Sequence, residues 1–194
     1  KGKTIKGLFK LLKAPSDKFI ELSKLVKTGS EVEEVIVQNT VELPKEFKPI
    51  LNNPDITAKR AYNYLRNRNI SDDDILKYNL GYCDFGRYAN MVIIPSYDKK
   101  GSLNYFTGRS FEKDPFIKYR NPECSRDIIP FELFINWDSP LVLCEGPFDA
   151  IAIKRNAIPL LGKNIQSNLL KRIVQSTVKK IYIALDTDAI KQAL

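Results

Sequence analysis

The stretch that decides the fold begins with the apolar run Leu141-Val142-Leu143-Cys144, which ends in Glu145-Gly146. It closes with a second apolar run, Ile181-Tyr182-Ile183-Ala184-Leu185, which ends in Asp186-Thr187-Asp188. Runs of this length and composition predict buried strands of a parallel sheet. Ligands bind at the carboxyl ends of strands in open α/β sheets. Three carboxylates at the ends of two such strands therefore indicate a metal site.

Between the two runs, the apolar pattern alternates between helix and strand. It predicts helices over residues 148–156 and 167–175, a strand over residues 158–161, and a last helix that starts at residue 189. The resulting order is β-α-β-α-β-α. This order predicts a parallel sheet with helical crossovers.

The segment before this stretch predicts a different architecture. A helix is expected after Asp55, and Ser71 followed three residues later by Asp74 resembles a capping box that starts a second, shorter helix. Strands are predicted at residues 80–83, 89–95, 102–109 and 116–119. The predicted fold class is therefore α/β, with an α+β N-terminal subdomain followed by a βαβ parallel sheet.

Changes in composition divide the chain into four segments. Residues 1–30 contain eight lysines and predict a small helical hairpin, whose basic surface is either a solvated face or a nucleic-acid contact. Residues 31–53 contain two prolines and predict a linker or an arm packed along the next domain. Residues 54–137 form the predicted N-terminal subdomain, and residues 138–194 form the predicted parallel-sheet domain.

The overall composition narrows the class of protein. The 194 residues carry a formal charge of +8, which favours a polyanionic partner such as nucleic acid. No apolar stretch approaches the ~18–20 residues that a membrane helix needs, so we expect no membrane partner. The segment Lys1-Gly2-Lys3-Thr4 lacks the hydrophobic region of a secretory signal, so we expect no secretion. Three scattered cysteines argue against a disulfide framework and a zinc ribbon, and they favour the cytoplasm.

The absence of histidine restricts the chemistry further. It excludes Ser-His hydrolases and metal sites built on imidazole, so proton and metal chemistry must use the remaining polar side chains. Asp186 and Asp188 are two residues apart and would point to the same side of an extended segment. Oxygen ligands of this kind suit Mg²⁺ or Mn²⁺. Glu145 would complete the set if its strand neighbours the 181–185 strand, with Asp149 in support. Taken singly, these acids are equally typical of ordinary turns.

Three short segments in this region resemble a known module. They are Glu145-Gly146-Pro147-Phe148-Asp149-Ala150, Leu161-Gly162 and Asp186-Thr187-Asp188-Ala189. Together they are similar to the Toprim domain, which is shared by bacterial-type primases, type IA and type II topoisomerases and some nucleases. The form Glu-Gly-x-x-Asp is the one found in primases.

Upstream segments make the resemblance more specific, and together they cover residues 54–194. Residues 64–71 resemble the "YLxxRGIS" helix of DnaG-type primases, although Asn69 stands where glycine is usual. Residues 118–123 resemble the family motif "KYLNSPE". The segments at residues 80–82, 92–101 and 106–109 follow the same family.

The resemblance implies an RNA polymerase of the primase type. Such an enzyme makes short RNA primers from nucleoside triphosphates on a single-stranded DNA template, with Mg²⁺ or Mn²⁺ as cofactor. The metal neutralises the leaving pyrophosphate and activates the attacking 3′-oxygen. The implied catalytic residues and metal ligands are Glu145, Asp186 and Asp188, with Asp149 as a further metal ligand.

The resemblance also implies nucleotide and template contacts for Arg109, Lys118 and Asn121. Lys163, which follows Gly162 at a strand end, is an additional candidate for contacting phosphate. A replicative helicase, fused or separate, is an implied partner in the cytoplasm of a bacterium or of a phage-infected host.

Two points stay open at the level of sequence. The family's zinc ribbon has no counterpart here, and the match ends soon after Asp188, so we expect a fragment of a longer core with no zinc of its own. The alternative functions are a Toprim-type nuclease or topoisomerase-like fragment, and a non-catalytic nucleic-acid-binding module.

Overall fold

The computed structural model describes residues 41–162 and 164–185. Its strands are β1 (Lys48–Pro49), β2 (Gly81–Cys83), β3 (Met91–Tyr97), β4 (Leu103–Ser110), β5 (Tyr119–Arg120), β6 (Leu141–Cys144), β7 (Ala157–Pro159) and β8 (Ile181–Ala184). Its helices are α1 (Ile56–Arg66), α2 (Asp72–Lys77), α3 (Pro147–Ile153) and α4 (Ser167–Gln175), with 3₁₀ turns at Gly86–Tyr88 and Glu132–Phe134. The helices predicted within residues 1–30 and from residue 189 lie outside the described residues.

The first sheet is antiparallel and has the strand order β1-β2-β3-β4-β5. Strands β3 and β4 form the predicted hairpin, in which the amide of Gly101 donates to the carbonyl of Asp98 over 3.0 Å. Strand β3 begins two residues later than predicted, because Asn90 has a φ of 57° and turns the chain just before it. The strand predicted at residues 116–119 is shorter and lies at Tyr119–Arg120.

The second sheet is parallel and has the strand order β7-β6-β8. Leu143 of β6 lies opposite Ile158 of β7 on one side and Ile183 of β8 on the other. Helices α3 and α4 connect these strands, as the alternating pattern predicts. The mixed fold class, with an antiparallel and a parallel sheet, is therefore confirmed.

The prediction that residues 181–185 form a buried strand is wrong in one respect. Strand β8 pairs with β6 as expected, but its apolar side chains face solvent. Their exposed fractions are 39% for Ile181, 49% for Tyr182 and 65% for Ile183. The physical reason is that β8 is an outer strand among the strands of residues 141–185, whereas the core of α3 and α4 forms over β6 and β7. An apolar run alone does not distinguish a central strand from an edge strand.

Short-range signals explain both helices of the N-terminal part. Helix α1 buries Ala58, Ala61 and Leu65, which are spaced three and four residues apart on one face. Helix α2 begins with the predicted capping box: the Ser71 hydroxyl accepts from the Asp74 amide, and the Asp74 carboxylate accepts from the Ser71 amide. The ammonium group of Lys154, just after α3, lies 3.1 Å from the same carboxylate. This ion pair links α2 to the parallel-sheet part of the chain.

One hydrophobic core joins the two sheets. It combines Tyr82, Val92 and Ile94 of the antiparallel sheet with side chains of α1, α3 and β6, and it includes Leu65, Cys144, Phe148 and Ile151. Consequently, the two sheets are held against each other by shared burial.

The opposite face of the antiparallel sheet is covered by residues 41–47, through Val41, Leu43 and Phe47. Gly81 permits this contact, since a Cβ there would lie 2.2 Å from the Phe47 ring. Within the described ranges, no helix has the length and apolar character needed to cross a membrane.

Candidate functional site

Glu145 lies where the parallel sheet ends. It directly follows β6, and Cys144 at the end of β6 is paired with Ala184 at the end of β8. Glu145 and Leu185 therefore leave the sheet at the same edge, and both line a groove of about 450 Å³ together with Asp149. The condition under which Glu145 was predicted to complete the acidic set, a strand adjacent to β8, is thus met.

Asp149 has a structural role at the start of α3. Its carboxylate accepts a hydrogen bond from the amide of Gly146 over 2.9 Å, which orders the turn after Glu145. The side chain stays exposed, so one carboxylate holds the turn and still borders the groove.

The other predicted acids and Lys163 cannot be placed. Asp186, Asp188 and Lys163 lie outside the described residues. Within residues 41–162 and 164–185, no three acidic, cysteine or histidine side chains come close enough together to hold a metal ion. The complete set of predicted ligands therefore stays a prediction.

Residues from both parts of the fold line a cleft of about 440 Å³ that includes Glu145. The antiparallel sheet contributes Thr107, Tyr119 and Asn121 to its lining, and the parallel part contributes Glu145 and Asp149. Further lining comes from Gly146, Pro147, Leu161 and Gly162. Three predicted site residues from two distant parts of the chain, Asn121, Glu145 and Asp149, thus share one cleft.

Arg109 contacts Tyr119, one of the residues that line the cleft. Its side chain is largely buried, and its Nε donates to the hydroxyl of Tyr64 on α1 over 3.0 Å. Its guanidinium also stacks on the ring of Tyr119, with 4.4 Å between the guanidinium carbon and the ring centre. Lys118 is exposed beside it, while its backbone carbonyl accepts from the Ser110 amide and holds the chain next to β4.

Sequence reasoning missed the roles of Tyr64 and Tyr119. Both belong to the quoted motifs, but their contacts with Arg109 depend on strand register, in which Arg109 lies opposite Tyr119. Gly108 makes this register possible, because a Cβ there would lie 2.8 Å from the carbonyl oxygen of Arg120. Gly108, a glycine inside a predicted strand, is the sequence signal that could have indicated this close approach of two backbones.

The donor atoms in the cleft suit a hard cation. The Oδ1 atom of Asn121 is buried and has no hydrogen-bond partner among the described residues, and the Glu145 carboxylate lies in the same cleft. Both are oxygen ligands of the kind that Mg²⁺ and Mn²⁺ prefer.

Cys144 does not add a soft ligand to this set. Burial raises the pKa of its thiol to about 12, and the negative charge of Asp149 acts in the same direction. The thiol therefore stays protonated at neutral pH and donates weakly to the carbonyls of Ile158 and Gly146. The side chains at the end of β6 therefore offer a metal ion only oxygen ligands.

A second cleft, of about 490 Å³, lies away from the acidic strand ends. Residues 50–54 line it together with Ala58, Lys59, Tyr62 and Asp72. It contains none of the predicted site residues, so we place the site at the cleft of Glu145.

Three of the known proteins that this chain resembles show what it is similar to. The uncharacterized protein MG010 of Mycoplasma genitalium is 30% identical over 153 residues, which cover 73% of this chain and 68% of that protein. A DNA primase of Legionella pneumophila is 27% identical over 174 residues, which cover 66% of this chain and 30% of the primase. No protein-family model matches the chain.

The third is a solved structure, a DnaG primase catalytic domain bound to single-stranded DNA. It superposes with a TM-score of 0.63 at 20% identity, and the match covers 76% of this chain and 61% of that one. The chain thus spans about three fifths of that catalytic domain and under a third of the Legionella primase. The resemblance to DnaG-type primases is confirmed at the level of the fold. The chain belongs to the family of the Mycoplasma genitalium protein MG010, and its described part has the fold of a DnaG-type primase catalytic core.

Proposed function

We propose that this chain is the catalytic core of a DNA primase with a Toprim-type metal site, which makes short RNA primers on single-stranded DNA. The observation that carries the proposal is the shared cleft, in which Glu145 of the parallel sheet faces Tyr119 and Asn121 of the antiparallel sheet. The primase-like fold supports this reading. The proposed partners are the DNA template, nucleoside triphosphates, the primer product and a replicative helicase in the cytoplasm of a bacterium or an infected host.

In the proposed reaction, the primer 3′-oxygen attacks the α-phosphorus of a nucleoside triphosphate. The bond from the α-phosphorus to the bridging oxygen breaks, pyrophosphate leaves, and the hydroxyl proton passes to water. Glu145, Asp186 and Asp188 would hold Mg²⁺ or Mn²⁺. Asp149 and Asn121 would supply further oxygen ligands from the same cleft. The bound cation would stabilise the negative charge that develops on the attacking and leaving oxygens.

The basic side chains would bind and orient the nucleotide. Tyr64 occupies the Nε–H of Arg109, so a phosphate contact would fall on the two Nη groups of its guanidinium. Lys118 is exposed at the same end of β5 and would act as a mobile charge for phosphate, since its side chain faces solvent. Lys163, which follows Gly162 in the sequence, would serve similarly.

The test is primer synthesis on single-stranded DNA with labelled ribonucleotides and Mg²⁺ or Mn²⁺. We expect activity in the wild-type chain and its loss, by a factor of at least about 10², in Glu145→Gln and Asp186→Asn. Glu42→Gln, which changes an exposed glutamate outside the cleft, is the matched control and should keep full activity.

Three outcomes would contradict the proposal. Well-folded Glu145→Gln and Asp186→Asn variants that still synthesise primers would remove the catalytic assignment. Cleavage of single-stranded DNA by the wild-type chain with metal but without nucleotides would favour a Toprim-type nuclease. Binding of DNA without either reaction would favour a non-catalytic module.

A further inference from the structure

The loop between β4 and β5, residues 111–118, carries a large apolar side chain in solvent. Phe116 is fully exposed, at 102% of its reference area, and Ile117 after it is 37% exposed. Isolated exposed apolar residues are common on protein surfaces. Phe116 differs from such residues because its loop lies next to the cleft of Glu145.

Backbone pairing fixes the loop at the cleft. The Ser110 amide donates to the Lys118 carbonyl over 3.1 Å, and Arg109 pairs with Tyr119 in the next register position. Tyr119 lines the cleft and is itself 49% exposed. Because only two residues separate Phe116 from Tyr119, the loop stands at the rim of the cleft that holds Glu145.

The two lysines of the loop are balanced by two acids, and the excess of positive charge beside it comes from Arg60 over the Phe111 ring and Arg109 over the Tyr119 ring. Lys113 and Lys118 are exposed in the loop, and the guanidinium of Arg109 underlies Tyr119. Glu112, one of the two acids of the loop, accepts a hydrogen bond from Asn90 over 2.9 Å, while Asp114 is exposed. Aromatic rings interleaved with cations are typical of surfaces that bind single-stranded nucleic acid, since bases stack on the rings and phosphates contact the charges.

We propose that Phe116 stacks on an unpaired base of a single-stranded nucleic acid at the rim of the cleft. The loop therefore acts as a binding surface for single strands, with Lys118 near the adjacent phosphate. This inference rests on the proposed function in one respect, namely that the binding partner is a nucleic acid. Stacking does not depend on which base is present, so the contact would hold strands of any sequence.

The experiment measures binding of a labelled oligothymidylate of about 12 nucleotides by fluorescence anisotropy, with an abasic strand of equal length as the comparison. We expect Phe116→Ala to weaken binding of the oligothymidylate about five- to tenfold, and to leave binding of the abasic strand unchanged. Phe116→Trp should retain wild-type affinity. Phe85→Ala is the matched control, because Phe85 is 61% exposed and lies outside the cleft lining.

Three results would overturn the proposal: unchanged oligothymidylate binding by Phe116→Ala, an equal loss on the abasic strand, or no binding of single-stranded DNA by the wild-type chain. If the wild-type chain makes primers and the Phe116→Ala variant binds the oligothymidylate with wild-type affinity, only the stacking contact is refuted. A chain that makes no primers but binds bases through Phe116 would refute the proposed function alone.

Discussion

Arg109 illustrates how the folded chain sets the role of a single side chain. Its guanidinium is largely buried between Tyr64 and Tyr119, and through Tyr119 it contacts the lining of the cleft. A buried charge is costly unless it is hydrogen-bonded, so the Tyr64 hydroxyl both stabilises the charge and fixes the orientation of the guanidinium. Tyr64 is therefore a positioning residue for the predicted nucleotide contact.

We expect Tyr64→Phe to lower the free energy of unfolding by about 1.5–3 kcal/mol, because it leaves the Nε–H of a buried arginine without its acceptor. Tyr97→Phe is the control. Its hydroxyl also has a hydrogen-bond partner, Asn79, but that contact is exposed and water can replace it. Urea denaturation of both variants measures the difference. Equal losses in the two variants would show that burial of Arg109 does not amplify the Tyr64 hydrogen bond.

The start of α2 shows that an element can depend on both local and distant contacts. Ser71 and Asp74 form the capping box, and Lys154 approaches the same Asp74 carboxylate from beyond α3. Burial acts to raise the pKa of Asp74, but the hydrogen bonds from Ser71 and the charge of Lys154 outweigh it, so the pKa lies below its ordinary value.

This lowered pKa predicts a pH-dependent contribution to stability. The contribution is complete above the pKa of an ordinary aspartate, about 3.9, and it is lost as the pH falls through the lower pKa of the folded state. We expect Asp74→Asn to destabilise the chain by about 1 kcal/mol or more near neutral pH. The difference from wild type should shrink below about pH 4.

Asp73→Asn is the control for this prediction, since Asp73 is exposed on the same helix and should change stability little at any pH. Thermal or urea unfolding between neutral and acidic pH tests both variants. A constant difference between wild type and Asp74→Asn across this range would mean that the charge of Asp74 does not stabilise the fold.

Strand register, also a property of elements, could not be inferred from the sequence. The apolar runs correctly predict β6 and β8 as parallel strands, and residues 167–175 correctly predict α4. That β6 and β8 are neighbours was only a condition for the predicted metal site. The exposure of β8 and the short β5 were not predicted, because an edge strand and a central strand can share the same composition.

At the scale of the whole described part, the common core couples the two sheets. Leu65 of α1 is fully buried in the same cluster as Cys144 and Ile151 of the parallel part. A cavity in this cluster removes contacts from both sheets at once. The two sheets are therefore expected to unfold together.

We expect Leu65→Ala to destabilise the chain by about 2–5 kcal/mol and to keep one cooperative unfolding transition. Trp137 packs beside the parallel sheet, so its fluorescence reports on that part, while hydrogen exchange of β3 reports on the other. Leu76→Ala, at a position 68% exposed, is the control and should change stability by less than about 0.5 kcal/mol. Separate transitions for the two probes would show that the sheets unfold independently.

The sequence by itself determined the features that depend on residues close together in the chain. These are the capping box of Ser71 and Asp74, the hairpin turn at residues 98–101, and the acid that follows β6. Each follows from local hydrogen bonding or from the periodicity of apolar residues, which a short window contains.

Only the tertiary structure decided which of these features meet. It placed Asn121 and Tyr119 beside Glu145, put Tyr64 against Arg109, and left β8 exposed at an edge. The physical reason is that such contacts join residues tens of positions apart, as in the 45-residue separation of Tyr64 and Arg109. They form only when sheet register and the packing of a common core bring those residues together.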